Sequence, residues 1–345
     1  MPSRVQLGTA ALGRVLNASG ALLEGGVALE GIGVRIDAPA PLPSQRVAIA
    51  QPLWTGVRCI DALLTTGRGA RIGIFGSPGS GKSTLLEQIV CGTSADALVV
   101  GLIGERGREA QRWASLCDER TTVICATSDR PARERVAAAH VVMAQASALA
   151  SRGLHVLVVF DSLARYANAL RELAVMCGES AGRGGYPPSV FAAMAQLVER
   201  AGAFADGSTT LIATVLNDGD DRDPVSESAR SLLDGHVQLS ARLAQAGAFP
   251  AIDVSASASR TMDAVVGERH EKAARRVRAA LARLASLEDA RSLGLQPNDP
   301  ENLAAMAAEK AIEALVRQGK APESPAGALE ALGQIADTLG EAHGY

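Results

Sequence analysis

The segment Gly76-Ser77-Pro78-Gly79-Ser80-Gly81-Lys82-Ser83-Thr84 constrains this chain more than any other stretch. It fits G-x-x-x-x-G-K-[ST], a pattern that makes a phosphate cradle where a strand feeds it and a helix leaves it. Both flanks are present. Arg71-Ile72-Gly73-Ile74-Phe75 is a short apolar run suited to a buried strand, and Leu85-Leu86-Glu87-Gln88-Ile89-Val90 opens a helix. Glycine lets the backbone turn tightly and come close to an anion. Successive N–H groups and the helix N-terminus then hold phosphate oxygens. In such a cradle Lys82 reaches the β- and γ-phosphates and the Ser83 hydroxyl binds Mg2+. Gly76, Gly79, Ser80, Gly81, Lys82, Ser83 and Thr84 are therefore the expected nucleotide-binding residues. A glycine-rich turn that binds nothing is the alternative, and the complete motif in its strand–helix setting argues against it.

From residue 70 onward, strands and helices alternate. Apolar runs predict strands near 71–75, 97–103, 121–126, 154–160, 208–216 and 235–239, with helical patterns between most of them. Alternation of this kind predicts an α/β fold with a mostly parallel sheet covered by helices. Ligands of such sheets bind at the carboxyl ends of the strands. The strand ending at Ile103 runs into Gly104-Glu105-Arg106-Gly107-Arg108-Glu109. Glu105 reads equally well as a carboxylate that orients a water against a γ-phosphate and as part of a solvated charged turn. The strand Leu154–Phe160 ends in Asp161-Ser162. Many buried strands end in Asp, but with the phosphate loop upstream Asp161 reads as the carboxylate that holds Mg2+.

The 345 residues suffice for two or three domains and a large core. Aromatics are only 3%, so that core must be built from Ala, Val, Leu and Ile. A net charge of −3 gives no electrostatic case for nucleic acid. Cys59, Cys91, Cys117, Cys125 and Cys177 are scattered without a C-x-x-C pair. They read as small buried hydrophobes in a reducing cytosol. The five histidines lack metal-ligand spacing, no apolar run is long enough to span a bilayer, and the N-terminus is unlike a signal peptide.

Residues 1–37 carry short apolar runs split by glycines, which predicts β structure with tight turns, and Pro39, Pro41 and Pro43 mark a stiff linker. Cys177–Pro188 is a glycine-rich loop closed by Tyr186-Pro187-Pro188. Asn217–Pro224 is an acidic loop, as many exposed turns are. Beyond Gly267 the pattern is helical, with segments Glu268–Leu287, Asn302–Gln318 and Gly327–Leu339 separated by proline-containing breaks.

Taken in order, these motifs resemble the ATPases of type III secretion systems and of flagellar protein export, relatives of the catalytic subunit of rotary ATP synthases. The resemblance covers roughly residues 10–290. It rests on Gly76–Thr84, Leu102–Glu109, Asp161-Ser162-Leu163-Ala164-Arg165, Tyr186–Phe191, Gly219-Asp220-Asp221 with Asp223-Pro224, Leu233–His236, and Phe249–Asp253 running to Ser259-Arg260. It implies a RecA-like P-loop core, a partial N-terminal β-barrel and a C-terminal helical domain. The expected boundaries are 1–50 for barrel and linker, 51–266 for the core and 267–345 for the helices. Family members begin with a complete barrel, whereas only about 50 residues precede Gln51 here, so a shortened barrel with unpaired strand edges is expected.

The resemblance also implies roles. Glu105 matches the glutamate that polarises the attacking water. Arg106 and Arg165 match arginines of the γ-phosphate pocket, and Phe249 matches the aromatic residue that packs on adenine. Arg260 matches an arginine finger supplied to the neighbouring subunit. Lys82 completes the expected catalytic set, Ser83 and Asp161 are the expected metal ligands, and ATP and Mg2+ are the expected substrate and cofactor. The implied function is Mg-dependent ATP hydrolysis that energises type III protein secretion, by releasing chaperones and unfolding substrates. The look of Phe75–Leu86 leans to an injectisome over a flagellum. The implied partners are identical copies in a hexameric ring, stator and central-stalk proteins, the export gate and chaperone–substrate complexes, with no nucleic acid. The implied location is cytoplasmic, at the inner face of the bacterial inner membrane. The alternatives are a nucleotide-binding scaffold with weak turnover, motivated by the short N-terminal region, and a rotary ATP synthase-type subunit or RNA-translocating hexamer. No aromatic-rich platform for RNA is evident.

Overall fold

A computed structural model describes residues 3–216, 223–292 and 299–341. The chain forms two compact units. One comprises Met1–Ile49, Arg68–Gly76 and Ala95–Asp234; the other comprises Ala50–Gly67, Ser77–Ser94 and Gly235–Tyr345.

The strands, in chain order, are β1 (Arg4–Leu7), β2 (Arg14–Leu16), β3 (Ile32–Arg35), β4 (Pro52–Leu53), β5 (Thr66–Gly67), β6 (Arg71–Gly76), β7 (Ala97–Ile103), β8 (Thr121–Ala126), β9 (His155–Asp161), β10 (Gly202–Ala203), β11 (Ser208–Leu216), β12 (Gly235–Leu239) and β13 (Ile252–Ser259). The helices are α1 (Arg58–Leu63), α2 (Lys82–Gly92), α3 (Gly107–Ser115), α4 (Ala132–Ala150), α5 (Leu163–Met176), α6 (Pro188–Val198), α7 (Pro224–Leu232), α8 (Ala241–Gln245), α9 (Met262–Val265), α10 (Glu268–Ser292), α11 (Pro300–Val316) and α12 (Pro325–Glu341).

In the first unit the strands run in the order β6-β11-β9-β7-β8-β2. Every neighbouring pair in that run is parallel, and the short β10 pairs antiparallel with β11. The central strands β7 and β9 are buried at every position, which explains why they read as unbroken apolar runs rather than as alternation. Helix α4 packs on this sheet with a face of small residues that includes Ala138, Ala139 and Val142. Its core joins Phe75, Val99, Val158, Phe160 and Tyr166.

The N-terminal strands belong to this same core. Val5, Leu7, Leu16 and Ile36 share its interior, and β2 adds a parallel edge strand beside β8. The side chain of Gln145, itself buried, ties the backbone of Gly8, accepting from its N–H at 2.7 Å and donating to its carbonyl at 3.0 Å. The expected tight-turn β structure is present as the antiparallel pair β1–β3 and the edge strand β2. Among the described residues these strands do not close on themselves as a barrel.

The second unit holds the antiparallel pairs β4–β5 and β12–β13 with the helices α1, α2 and α8 to α12. The three C-terminal helices pack on one another through Val277, Ala305, Ile312, Leu332 and Ile335. All five cysteines are free. Cys59 and Cys125 are core residues as expected, but Cys91 and Cys177 are exposed and do not serve as buried hydrophobes. No helix among the described residues is long and apolar enough to cross a membrane.

Candidate functional site

Two groups of residues hold the expected chemistry, one in each unit. In the second unit, Ser77–Ser80 forms a tight turn, with the Ser80 hydroxyl donating to the Ser77 carbonyl at 2.8 Å. The Lys82 ammonium folds back onto that same carbonyl at 2.7 Å. Gly79 and Gly81 have φ of +80° and +93°, in the left-handed region that a side chain disfavours. Space around Gly79 is open, so its backbone can meet a ligand directly. Gly81 caps α2 without a side-chain acceptor, and the first turn of the helix presents Ser83 and Thr84 exposed. A helix start left in this way suits an anion.

Beside that turn lies a cavity of about 250 Å3, lined by Gly81, Thr84, Gln88, Phe249, Pro250 and Gly319 among others. Phe249 is 45% exposed, and its ring carbons come within 3.6 Å of a Cβ built on Gly81. A half-open aromatic face beside a phosphate-type loop suits a planar base. Arg260 follows β13 and is exposed; it does not line this cavity. Its neighbour Ser259 is anchored, donating its hydroxyl to the Thr65 carbonyl at 2.7 Å.

In the first unit, the ends of β7 and β9 bring Glu105, Asp161 and Arg165 together. Glu105 is only 6% exposed, although its neighbours Arg106, Gly107 and Arg108 are all exposed. Arg165, in the first turn of α5, places Nε 2.6 Å from the Glu105 carboxylate. That helix is capped by Ser162, whose hydroxyl accepts from the Arg165 N–H at 3.3 Å. Gly104 must be glycine-like: its φ is +73°, and a Cβ there would lie 3.3 Å from the Arg165 stem. Burial first, and then the nearby Asp161 charge, push the Glu105 carboxyl well above the usual range, while Arg165 opposes the shift. Arg106 stands outside this group, at the exposed start of α3.

Three residues here escaped the sequence reading. Glu109 brings a carboxylate oxygen within 4.8 Å of those of Glu105 and Asp161. Thr214, buried on β11, donates its hydroxyl to Asp161 at 2.5 Å and fixes that carboxylate. Gln88 lines the cavity from α2. Glu109 lies one helical turn beyond Glu105 in the same charged run, a signal that sequence does offer; Thr214 and Gln88 give none. The carboxylates of Glu105, Glu109 and Asp161 are the hard oxygen-donor chemistry that a Mg2+ ion takes. The acidic loop expected at 217–224 lies outside the described residues except for Asp223, which caps α7 by accepting from Ser226 N–H at 2.8 Å, and Pro224.

A family model described as "ATP synthase alpha/beta family, nucleotide-binding domain" matches residues 56–259. The chain is 44% identical to the type 3 secretion system ATPase of Sinorhizobium fredii (strain NBRC 101917 / NGR234) over 325 residues, 92% of this chain and 72% of that protein. It is 42% identical to the flagellum-specific ATP synthase of Pseudomonas aeruginosa over 328 residues, again 92% of this chain and 72% of that protein. Among solved structures, the assembled ATPase EscN from the type III secretion system of enteropathogenic E. coli superposes with a TM-score of 0.92 at 39% identity, covering 96% of this chain and 83% of that one. EscN in complex with its central stalk EscO gives 0.90 at 38% identity, over 97% of this chain and 83% of that one. The chain spans between 58% and 72% of the length of the curated relatives compared.

Proposed function

We propose that this chain, which belongs to the ATP synthase alpha/beta family and within it to the type III secretion ATPases, hydrolyses ATP to energise protein export through a type III secretion apparatus, releasing chaperones and unfolding export substrates. The observation that carries this reading is the Glu105 carboxylate, buried at a strand end and set beside Asp161 and Arg165. A carboxylate kept from bulk water and raised in pKa is suited to take a proton from an attacking water.

The remaining roles follow from the chemistry of each residue. The backbone N–H groups of Gly79 to Lys82 and the Lys82 ammonium take the phosphates. Bound Mg2+, held by the Ser83 hydroxyl and the Asp161 carboxylate, would neutralise charge on the phosphate oxygens. Arg106 and Arg165 serve the γ-phosphate, and Phe249 packs on the base. Arg260 acts as a finger toward a neighbouring copy, so the working form is a ring of identical subunits, a hexamer in our reading. EscN, described as an assembled ATPase and in complex with a central stalk, supports an oligomer with a stalk partner. We extend the partners to a stator, the export gate and chaperone–substrate complexes, and place the protein in the cytoplasm at the inner face of the inner membrane. We keep the three-part organisation, with boundaries after residues 50 and 266, as part of this proposal.

An injectisome is our first choice of apparatus; similarity to a flagellum-specific relative keeps flagellar export as the second. The test is Glu105→Gln. The variant is expected to bind ATP as the parent does and to lose turnover by at least about a hundredfold, the scale of a general-base contribution. Turnover near the parent's value would refute the assignment of Glu105 as the base.

A further inference from the structure

The loop between α11 and α12 buries one side chain, Gln318. This residue is 8% exposed, unusual for a glutamine in a loop. Its amide oxygen accepts from the Arg58 N–H at 2.8 Å. Its amide nitrogen donates to the Gly56 carbonyl at 2.8 Å and to the Ala321 carbonyl at 2.9 Å. Both amide hydrogens are thereby used, and no donor remains for a ligand. The backbone N–H of Gln318 donates to the Phe249 carbonyl at 2.9 Å. One step further, the Gly319 carbonyl accepts from Gln88 of α2 at 2.9 Å. An ion pair between Arg58 and Glu323 at 3.1 Å closes the same loop.

These bonds matter because the loop is a wall of the 250 Å3 cavity. Gln318, Gly319 and Lys320 line it together with Pro250 and Phe249, whose backbone carbonyl Gln318 bonds. A base entering it would stack on Phe249 and meet the loop. The Gln318 side chain fixes the loop to the backbone of Gly56 and Arg58 and closes it on Ala321. Its backbone N–H then carries that placement to Phe249, and Gln88 ties the loop to the helix that begins at the phosphate turn.

We propose that Gln318 is a positioning residue for base selection: it sets the loop and Phe249 at the spacing that favours a purine over a pyrimidine. The inference rests on the nucleotide reading of the site. A larger ring stacks with more area on a fixed aromatic face, so a rigid wall rewards a purine and a loose one rewards it less. Gln318 touches no reacting atom, so its loss should weaken binding without slowing chemistry.

The test is steady-state turnover of ATP and of CTP by the full chain, for the parent, Gln318→Ala, Phe249→Ala and the double variant. Gln318→Ala is expected to raise KM for ATP about three- to tenfold, the scale of one buried hydrogen-bonding group, while kcat and KM for CTP change by less than about twofold. The double variant should discriminate ATP from CTP no worse than Phe249→Ala alone, because both residues act through one wall. If Gln318→Ala fails to fold, Gln318→Met, which keeps the side-chain length without the amide, is read in the same way. An unchanged ratio of ATP to CTP KM values, equal losses for both nucleotides, a fall in kcat alone or additive effects in the double variant would each overturn the inference and leave the ATPase reading intact. A parent protein that turns over neither nucleotide would overturn both.

Discussion

His155 opens β9 with its ring buried and only one ring nitrogen satisfied. Nδ1 lies 2.6 Å from the Ser208 hydroxyl, and Nε2 is buried without a partner. Burial, and then the positive charge of Arg68, depress its pKa from the ordinary 6.5 to about 4, with Asp96 opposing. The unfolded chain therefore binds a proton between those values that the folded chain refuses. Stability is complete above the unfolded pKa and falls as pH drops from about 6.5 toward 4, by up to about 1.4 kcal/mol per pH unit. Urea denaturation at stepped pH should show His155→Gln losing stability less steeply than the parent across that window; equal slopes would remove His155 from the account. His155 also shows what a sequence hides at this scale. It lies in a strand read correctly, but whether its ring is buried depends on Ser208, 53 positions away. Glu105 is the same case. The residues that follow it in sequence are exposed, yet it is buried, with Asp161 of β9 and Arg165 of α5 beside it. The motif made Glu105 a candidate; tertiary packing sets its environment.

The contact between α4 and β7 depends on the absence of a side chain. A Cβ on Gly101 would lie 2.6 Å from one Val142 methyl and 3.2 Å from the other. Gly101→Ala must push the helix from the sheet or force Val142 from its rotamer. The overpacking should cost about 1–3 kcal/mol, offset only in part by the lower chain entropy of alanine. A fall in the urea midpoint with unchanged m is the expected result, and adding Val142→Ala should recover part of it; a neutral Gly101→Ala would show that the helix has room to move. In sequence Gly101 was merely one residue of an apolar run, because its partner is 41 residues further on. The strands themselves were legible to within a residue: 97–103, 121–126 and 208–216 are as expected, since long apolar runs bounded by turns have few other uses. Strand β13 was missed. Its Asp253-Val254-Ser255-Ala256-Ser257-Ala258-Ser259 has little β-branched or aromatic content and is a strand because β12 pairs with it, across an irregularity between His236 and Gln238. The C-terminal helices were legible from periodicity, but the buried Gln318 between two of them was not, because its four partners come from two distant segments and its own loop.

At the scale of the whole molecule, one chain carries both Glu105 and Arg260, so a ring of identical copies would have every site complete. The assignment of Arg260 as a finger acting on a neighbour makes a demand that a self-contained enzyme does not. Turnover per subunit of the parent should rise with protein concentration as copies associate, and Arg260→Ala should stay low and flat. Mixing gives the sharper test. Glu105→Gln and Arg260→Ala should each be nearly inactive alone. In an equal mixture, a site works where an Arg260→Ala subunit supplies the glutamate and its neighbour, a Glu105→Gln subunit, supplies the arginine. With random assembly and independent sites, about a quarter of sites meet that condition. Recovery to roughly that fraction of parental turnover would establish that catalysis is shared across a subunit boundary. No recovery at concentrations where the parent is fully active would mean that Arg260 serves its own subunit or only the fold. A parent whose turnover per subunit does not depend on concentration, with Arg260→Ala equally active, would remove the finger and leave Glu105, Asp161 and Arg165 as a site that one chain completes alone.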